Sequence, residues 1–293
     1  MSNQVDSALY ENEKNSEPQT PKKLSMKIVD IFDEIEEAKT YRFIGAENEP
    51  MFKYTPGQAA KLYFDTPIKK NDFRLYSIAS SPLRTDYLEL TIKSEGGDFA
   101  PHFLAQARIG DIYVVEGPFG RFLSKPLEMI KNKTIDRLVF LASSSGIVPF
   151  RCFIEYAIDS SLDVDLYLFY VNRTRSDIIY RRLIPELLAS YKKLKIMFNL
   201  TREHQVTEDE IAGQVMIDYE NYRDRVSFLL GRRLEFEDIK NAVERWNEAY
   251  YAICGGARFI FGDREKGELG MMQKLKVGGV ERNRIEIDSY GIK

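Results

Sequence analysis

Residues 74 to 82, RLYSIASSP, place a cation, a phenol and a hydroxyl inside an otherwise apolar, strand-like run. A guanidinium such as that of Arg74 suits phosphate oxygens because it can bind them through two parallel hydrogen bonds. The plane of Tyr76 can stack on another aromatic ring. Taken alone, the segment fits an ordinary strand better, with a core phenol and a cation at its edge, so other motifs must decide.

A second candidate is the turn SSSGIVP at 143 to 149, which follows the apolar strand RLVFLA and precedes a helix with Pro149 in its first turn. Small residues there let the backbone approach a pyrophosphate, and the N–H groups at the helix start favour negative charge. Tight strand-to-helix turns prefer Ser and Gly in any case. The spacing alone therefore leaves both a nucleotide site and a simple turn open.

Composition limits the chemistry. Two cysteines and two histidines cannot supply the four thiolates of an iron–sulfur cluster, and their spacing matches no zinc-site pattern. We therefore predict no metal site and an organic cofactor. The net charge of −3 argues against a general affinity for nucleic acid. No apolar run approaches the ~18 residues of a membrane span, and the N-terminus lacks the order of a signal peptide, so we expect a cytoplasmic protein.

The chain divides into three parts. Residues 1–23 are polar without an apolar period and predict a disordered tail. Residues 24–132 carry short strand-like segments separated by turns such as YTPGQ, EGGD and GPFG, which predicts an antiparallel β-barrel. Residues 133–293 alternate apolar strands with amphipathic helices, which predicts an α/β domain with a parallel sheet. The stretch 203–230 fits this rhythm least, and we assign it no role.

Taken together and in order, these segments resemble the ferredoxin-NADP reductase superfamily. Its flavin motif, Arg-x-Tyr-Ser or Arg-x-Tyr-Thr, stands here as Arg74, Leu75, Tyr76 and Ser77. The other landmarks follow in register: YTPGQAAKL at 54–62, LTIK at 90–93, GPFGRF at 117–122, SSSGIVPF at 143–150, ICGG at 253–256 and IDSYGIK at 287–293. The resemblance covers residues 24–293 and implies an FAD-binding barrel followed by an NAD(P)-binding α/β domain.

The resemblance implies specific roles in flavin binding. Arg74 would neutralise the flavin diphosphate, Tyr76 would cover one face of the isoalloxazine ring, and Ser77 would hydrogen-bond near its reactive nitrogen. The further flavin-binding positions are Leu75, Thr91, Ile92, Lys93, Phe99, Ala100 and Pro101. A Ser is common in the family where Pro101 stands, and this proline brings neither a hydroxyl nor an N–H.

The resemblance also implies hydride transfer from nicotinamide C4 to flavin N5, followed by single electrons to a protein acceptor. Cys254 would lie beside the nicotinamide, Asp288 would replace the C-terminal Glu of the family, and Tyr290 would cover the other flavin face. Residues 291–293 extend past the terminal aromatic of plant-type reductases. Without the resemblance, a small buried apolar residue is the preferred explanation of Cys254. The nucleotide-binding positions are Ser144, Ser145, Gly146, Pro149, Asn172, Arg173, Arg202, Cys254 and Gly255.

The preferred nucleotide depends on cations for a 2′-phosphate. Arg173 and Arg202 stand as in NADP-using bacterial reductases, which favours NADPH over NADH, although solvated loop arginines also explain them. For the next phosphate-binding position, Gln214 after Gly213 and Arg232 after Gly231 both remain open.

Partners are inferred from charge. Three basic pairs, Lys69 with Lys70, Lys131 with Lys133 and Arg181 with Arg182, are candidates for a cationic rim that attracts an acidic ferredoxin or flavodoxin. Solvated surface charges are the plainer explanation of each pair.

We therefore predict an FAD-dependent NAD(P)H reductase for ferredoxin or flavodoxin. One alternative keeps both domains in a reductase component of an oxygenase or in a larger electron-transfer complex. An alternative of another class is a redox-inactive nucleotide-sensing module, suggested by Ser144 and Pro101. Ser144 stands where the family usually has Gly, so its Cβ lies where the pyrophosphate should approach.

Overall fold

The computed structural model describes residues 20–47, 49–94 and 97–290. A curled antiparallel sheet forms the N-terminal domain, with strand order β4-β3-β6-β1-β2-β5. An isolated bridge between Ile78 and Leu90 links the two edges of this sheet and confirms the predicted antiparallel barrel architecture. Its strands are β1 (Lys22–Ile35), β2 (Ala38–Gly45), β3 (Ala59–Phe64), β4 (Asp72–Ser77), β5 (Leu88–Lys93) and β6 (Ile112–Phe119).

The barrel core is filled by side chains that alternate along each strand with outward-facing ones. In β3, Ala60, Leu62 and Phe64 are buried while Lys61 and Tyr63 face outwards, as the period of two of a strand requires. The first helix, α1 (Phe99–Gln106), adds the rings of Phe99 and Phe103 to the same core.

The last two residues of the predicted tail belong to the first strand of the barrel. Lys22 and Lys23 already pair with Gly117 and Glu116 of β6, so β1 begins two residues before the expected start. Backbone pairing needs no apolar side chain, which is why two lysines concealed the strand. The first nineteen residues of the predicted tail lie outside the described residues.

A parallel sheet forms the C-terminal domain, in the order β10-β9-β8-β7-β11-β14. Its strands are buried on both faces, as parallel sheets covered by helices are. This confirms the predicted α/β domain. The strands are β7 (Arg137–Ser143), β8 (Asp165–Asn172), β9 (Leu194–Leu200), β10 (Val226–Leu230), β11 (Tyr250–Gly256) and β14 (Ile285–Tyr290), and a separate hairpin pairs β12 (Gly262–Asp263) with β13 (Glu268–Leu269).

Helices cover both faces of the parallel sheet. One face carries α2 (Ser124–Lys131), α3 (Val148–Asp159), α4 (Ile184–Ser190), α5 (Glu208–Gln214) and α6 (Tyr219–Tyr222). The other carries α7 (Phe236–Ala242), α8 (Ala257–Phe261) and α9 (Met271–Val277). Among the described helices, none is both long enough and apolar enough to cross a lipid bilayer.

The stretch 203–230 completes the second domain. It forms the short helices α5 and α6 and then β10, which extends the sheet beside β9. The start of α5 is fixed by a capping box between Thr207 and Glu210. These helices are too short to show an apolar period in the sequence.

The two domains meet along α3. Cys152, in the middle of this helix, belongs to the apolar core of the barrel, and its Sγ donates to the Ser80 carbonyl oxygen at 2.9 Å. Burial raises the pKa of the Cys152 thiol. This cysteine is therefore a packing residue of the domain junction.

Candidate functional site

The flavin motif lies at the open edge of the barrel. From the Ile78–Leu90 bridge, β4 runs back towards Arg74 while β5 runs on towards Lys93 in the same direction, because the bridge is antiparallel. Helix α1 follows β5 and contacts both strands. The curl of the sheet therefore brings the motif of β4, the end of β5 and the start of α1 together.

The Arg74 guanidinium reaches the start of α1. It lies 5.3 Å from the ring centroid of Phe99, the first residue of that helix, and the side chain is 49% exposed. Its Nη1 donates to Asp72 Oδ2 at 3.0 Å and to the Phe73 carbonyl oxygen at 2.7 Å. The N-cap residue Asp98 makes no side-chain cap hydrogen bond. An exposed arginine beside an uncapped helix start fits a phosphate group.

The first turn of α1 offers few donors. Phe99 and Ala100 are buried, and only their backbone N–H groups suit an anion. Pro101, the third residue of the helix, is a proline and so has no backbone N–H to donate. A phosphate here therefore depends strongly on Arg74.

Tyr76 and Ser77 end β4 in a half-buried position. The Tyr76 ring lies 6.3 Å from that of Phe99 at an angle of 45°, while Leu75 before it points outwards and is 55% exposed. A half-buried phenol followed by a half-buried hydroxyl fits the face and edge of a flavin ring.

The predicted residues of β5 differ in what they can contribute. Thr91 Oγ1 hydrogen-bonds to Thr40 Oγ1 at 2.8 Å and to the Tyr180 hydroxyl, and Ile92 lies in the barrel core. Both residues can therefore offer a ligand only backbone groups. Lys93 differs, because its Nζ donates to Ser144 Oγ at 2.5 Å. This contact joins the end of β5 in the barrel to the turn after β7, the candidate nucleotide turn of the second domain.

The turn after β7 has a backbone that favours glycine. Ser144 adopts a φ of +54°, in the left-handed region that non-glycine residues seldom occupy. Gly146 packs against β11, where an added Cβ would lie 2.1 Å from the Cys254 carbonyl oxygen. Ser145 is half-buried, and Pro149 is the second residue of α3. The turn thus keeps a compact form despite the replacement of Gly by Ser.

Cys254, Asp288 and Tyr290 gather at the carboxyl edge of the parallel sheet. Cys254 pairs in register with Asp288, and its Sγ donates to Asp288 Oδ2 at 3.9 Å. Burial raises the pKa of the Asp288 carboxyl, and the Cys254 hydrogen bond opposes this. The Tyr290 hydroxyl donates to the Ser143 carbonyl oxygen at 2.8 Å. Gly255 follows Cys254 in β11, and the three residues after Tyr290 lie outside the described residues.

Sequence reasoning missed Glu286, two positions before Asp288. Its Oε1 accepts a hydrogen bond from the Leu123 N–H at 2.9 Å. Burial raises the pKa of Glu286 to about 7, the charge of Asp288 adds to this, and the Leu123 N–H and Lys125 oppose it. The signal in the sequence is the pair of acidic residues at alternate positions 286 and 288 of IEIDSY, where a buried strand would carry apolar ones.

The candidate 2′-phosphate arginines lie at neighbouring strand ends. The Arg202 N–H donates to the Arg173 carbonyl oxygen at 2.8 Å, so the two residues are adjacent. Arg173 is 54% exposed and pairs with Asp177 at 3.3 Å. Asn172 is buried at the end of β8. This edge is where nucleotides bind in open α/β sheets.

The two open alternatives for the next position differ in their surroundings. Gln214 ends α5, whereas Arg232 forms a double hydrogen bond with the Asp238 carboxylate. The Asp238 pair lowers the net charge that Arg232 offers to a phosphate.

The predicted cationic rim is partly neutralised. Lys69 pairs with Asp72 at 3.1 Å and Lys70 with Asp65 at 3.6 Å. Carboxylate partners of this kind reduce the long-range field of the lysines.

Two family models match the chain. Residues 25–123 match the oxidoreductase FAD-binding domain, and residues 140–260 match the oxidoreductase NAD-binding domain. The models thus divide the chain where the barrel gives way to the parallel sheet. The chain therefore carries one FAD-binding and one NAD-binding domain.

Characterised relatives are larger than the matched region. The chain is 30% identical over 166 residues to sulfhydrogenase 2 subunit gamma of Pyrococcus furiosus, covering 55% of this chain and 52% of that protein. It is 27% identical over 173 residues to the ferredoxin reductase component of the 3-ketosteroid-9-alpha-monooxygenase of Mycolicibacterium smegmatis, covering 57% and 47%. The chain thus matches about half of the length of these relatives.

Solved structures share the whole architecture. The ferredoxin NADP+ reductase of Neisseria gonorrhoeae with bound FAD and NADP aligns with a TM-score of 0.66 at 19% identity, covering 92% of this chain and 98% of that one. The flavohemoglobin of Malassezia yamatoensis aligns with a TM-score of 0.71 at 18% identity, covering 92% and 60%. At these identities the alignments establish the fold.

Proposed function

Because the chain is an FAD- and NAD-binding oxidoreductase of the ferredoxin-NADP reductase superfamily, we propose that it oxidises NADPH and reduces a small electron-transfer protein, ferredoxin or flavodoxin. When bound, FAD supplies the hydride acceptor and the one-electron donor. The observation that supports the proposal is the 2.5 Å contact between Lys93 and Ser144, which joins the end of β5 to the turn after β7.

The barrel residues bind and orient the flavin. Arg74, with the start of α1, would hold the diphosphate, and Tyr76 would lie against one ring face with Ser77 near the reactive nitrogen. The support is the position of Arg74 beside Phe99 and the partial exposure of Tyr76. Leu75, Thr91, Ile92, Lys93, Phe99, Ala100 and Pro101 would line the rest of the flavin site, mostly through their backbone.

The second domain binds and orients the nicotinamide nucleotide. The turn from Ser144 to Gly146, with Ser145 and Pro149, would hold the pyrophosphate. Cys254 and Gly255 would contact the nicotinamide, and Tyr290 would cover the flavin until the nicotinamide displaces it. Asp288, hydrogen-bonded by Cys254 and with a raised pKa, would hold a proton near that ring.

NADPH is the proposed nucleotide. Arg173 and Arg202 are adjacent and could share a 2′-phosphate, and Asn172 is the buried residue directly before Arg173. The bound NADP in the Neisseria gonorrhoeae structure is consistent with this choice. NADH is the competing nucleotide.

A role within a larger assembly is the second candidate. Both characterised relatives named above are a subunit or a component of a larger enzyme, and a further relative is the reductase component of propane 2-monooxygenase in Mycolicibacterium smegmatis. The redox-inactive alternative has less support, because the Ser144 backbone is already left-handed and leaves the compact turn intact.

The test is anaerobic reduction of the purified protein. We expect yellow protein that NADPH bleaches, followed by reoxidation when ferredoxin or flavodoxin is added. Colourless protein that cannot take up FAD would overturn the proposal. Reduced flavin that neither acceptor reoxidises would favour the assembly role, and a strong preference for NADH would overturn the assignment of Arg173 and Arg202.

A further inference from the structure

A network of charges, buried at its centre and partly exposed at its ends, crosses the junction between the two domains. We call it the interdomain ion network. It contains three arginines and three carboxylates, so its charges balance: Arg42, Arg84, Arg151, Glu89, Glu155 and Asp159.

Arg151 lies at the centre of this network. It belongs to α3 of the second domain, and its side chain is 8% exposed. Its Nη2 donates to Glu89 of the barrel strand β5 and lies 3.1 Å from Glu155 Oε1. The guanidinium stacks 4.6 Å from the ring centroid of Tyr180. Arg151 therefore connects a carboxylate from each domain.

The barrel side of the network is equally satisfied. Arg42 of β2 donates its Nε to Glu89 Oε1 at 2.9 Å. Arg84 lies 3.2 Å from Glu155 and forms a two-pronged pair with Asp159, at 3.0 and 3.2 Å. Each carboxylate thus has a partner across or within the junction.

The network adjoins both cofactor motifs. The Ser81 N–H, four residues beyond Ser77 of the flavin motif, donates to Glu155 Oε2 at 3.3 Å. Arg151 and Glu155 stand on α3, the helix that begins directly after the nucleotide turn. The ion pairs therefore connect the strand that would hold the flavin with the helix that would hold the nucleotide.

A buried ion network adds little net stability, but it restricts the relative position of the groups that it connects. Removing charges from water costs about as much as their attraction returns, so apolar packing would stabilise the junction at least as well. Fixed donors and acceptors accept far fewer relative positions of the two domains than apolar surfaces do. This selectivity matters where two rings must react at contact distance.

We propose that Arg151 and Glu89 are positioning residues. They set the distance and angle between the barrel strands that would hold the flavin, β4 and β5, and the nucleotide turn before α3. This inference rests on the proposed function, because it assigns the network to the alignment of hydride donor and acceptor. Neither residue need touch a cofactor, and each acts by holding its own domain in place.

The test compares Glu89→Gln and Arg151→Lys with a matched control. The control is Arg137→Lys, because Arg137 is also buried but pairs with Asp165 inside the second domain at 3.2 Å. The measurements are FAD content, the dissociation constant for NADPH, and the limiting rate of anaerobic flavin reduction at saturating NADPH.

We expect the limiting rate to fall about tenfold or more in both network variants, since small misplacements of reacting atoms cost rates of about this size or larger. FAD content and NADPH affinity should stay near those of the unchanged protein, and the control should keep its rate. An unchanged rate in Glu89→Gln with full FAD content would overturn the inference, as would an equal loss in the control.

A second measurement does not depend on flavin chemistry. Spin labels on Ile109→Cys in the barrel domain and Val277→Cys in the second domain report the distance between the domains, and both positions are exposed while the native cysteines are buried. The distance distribution should broaden or shift in Glu89→Gln but not in Arg137→Lys. Identical distributions would overturn the inference, whereas failure of NADPH and NADH to reduce the unchanged protein would overturn the proposed function alone.

Discussion

The Tyr290 hydroxyl donates a hydrogen bond to the Ser143 carbonyl oxygen over 2.8 Å, so the last described residue of the chain is tied to the nucleotide turn. If the ring of Tyr290 also covers the flavin site, as proposed, it must move before nicotinamide can stack there. The hydrogen bond and the ring then make separable contributions to nucleotide binding.

Substitution of Tyr290 separates these contributions. Tyr290→Phe removes only the hydrogen bond, which is worth about 1 kcal/mol, and should change NADPH affinity by less than about tenfold. Tyr290→Ser removes the ring as well and should bind NADPH more tightly but release NADP more slowly, so kcat falls. Steady-state kinetics and nucleotide titration measure both. Equal behaviour of the two variants would contradict a covering role for the ring.

Arg74→Ala should purify with less FAD. A hydrogen bond to a charged group contributes about 1.5 to 3 kcal/mol, so FAD affinity should fall by about tenfold to a hundredfold. Titration of the apoprotein with FAD measures this. Arg245→Ala is the control, because Arg245 is also exposed and paired, with Glu248 at 3.0 Å, but lies in the second domain. Unchanged FAD occupancy in Arg74→Ala would refute its role.

Ser144→Gly should strengthen nucleotide binding. A non-glycine residue at a φ of +54° is strained by about 1 kcal/mol, and its Cβ stands where the pyrophosphate would approach. Ser144→Ala keeps the Cβ and loses only the hydroxyl that accepts from Lys93. Dissociation constants for NADPH should therefore be smaller for the Gly variant than for the Ala variant, and equal values would show that the Cβ does not matter.

Glu286→Gln should change how stability depends on pH. Burial raises the pKa of Glu286 to about 7, above its ordinary value, so the folded protein holds a proton that the unfolded chain releases. The resulting stability is complete below about pH 4.5 and is lost as pH rises through about 7. At pH 8 the Gln variant, which cannot ionise, should be more stable than the unchanged protein by about 2 to 3 kcal/mol.

Chemical denaturation at pH 5, 6, 7 and 8 checks this prediction. The difference in the free energy of unfolding between Glu286→Gln and the unchanged protein should grow with pH. Glu281→Gln, at an exposed position five residues earlier, is the control for the loss of a carboxylate elsewhere in this segment. Parallel curves for Glu286→Gln would mean that this carboxyl is ionised throughout the range.

Arg202→Ala should reduce the catalytic efficiency with NADPH more than with NADH. Only NADPH carries the 2′-phosphate that the arginine would bind, and loss of one charged hydrogen bond corresponds to about a tenfold to hundredfold effect. The ratio of kcat/KM for the two nucleotides measures this preference. Gln214→Ala and Arg232→Ala, compared in the same way, distinguish the two open alternatives for the neighbouring position.

Local patterns were sufficient where elements were long or strongly patterned. The alternation in β3 indicates a half-buried strand, and the short apolar run of β7 between turn signals and before a helix indicates a buried parallel strand, so the barrel and the parallel sheet were predictable. Patterns failed where elements were short, as in α5 and α6, or where lysines began a strand, as at Lys22. The pair Arg151 and Glu155, four residues apart in the apolar helix VPFRCFIEYAID, was a visible sign of buried charge that the sequence reading left unused.

By itself the sequence determined the order of the two domains, the kinds of sheet they contain and the motif residues at their edges, because these follow from short-range periodicity and from turn chemistry. Only the tertiary structure decided that Lys93 meets Ser144, that Arg151 pairs with Glu89, and that the Leu123 N–H donates to Glu286. Those pairs are far apart in the chain, and their meeting depends on how the barrel curls and how α3 packs against it. Such contacts arise from the packing of whole surfaces, and the spacing of residues along a chain does not encode them.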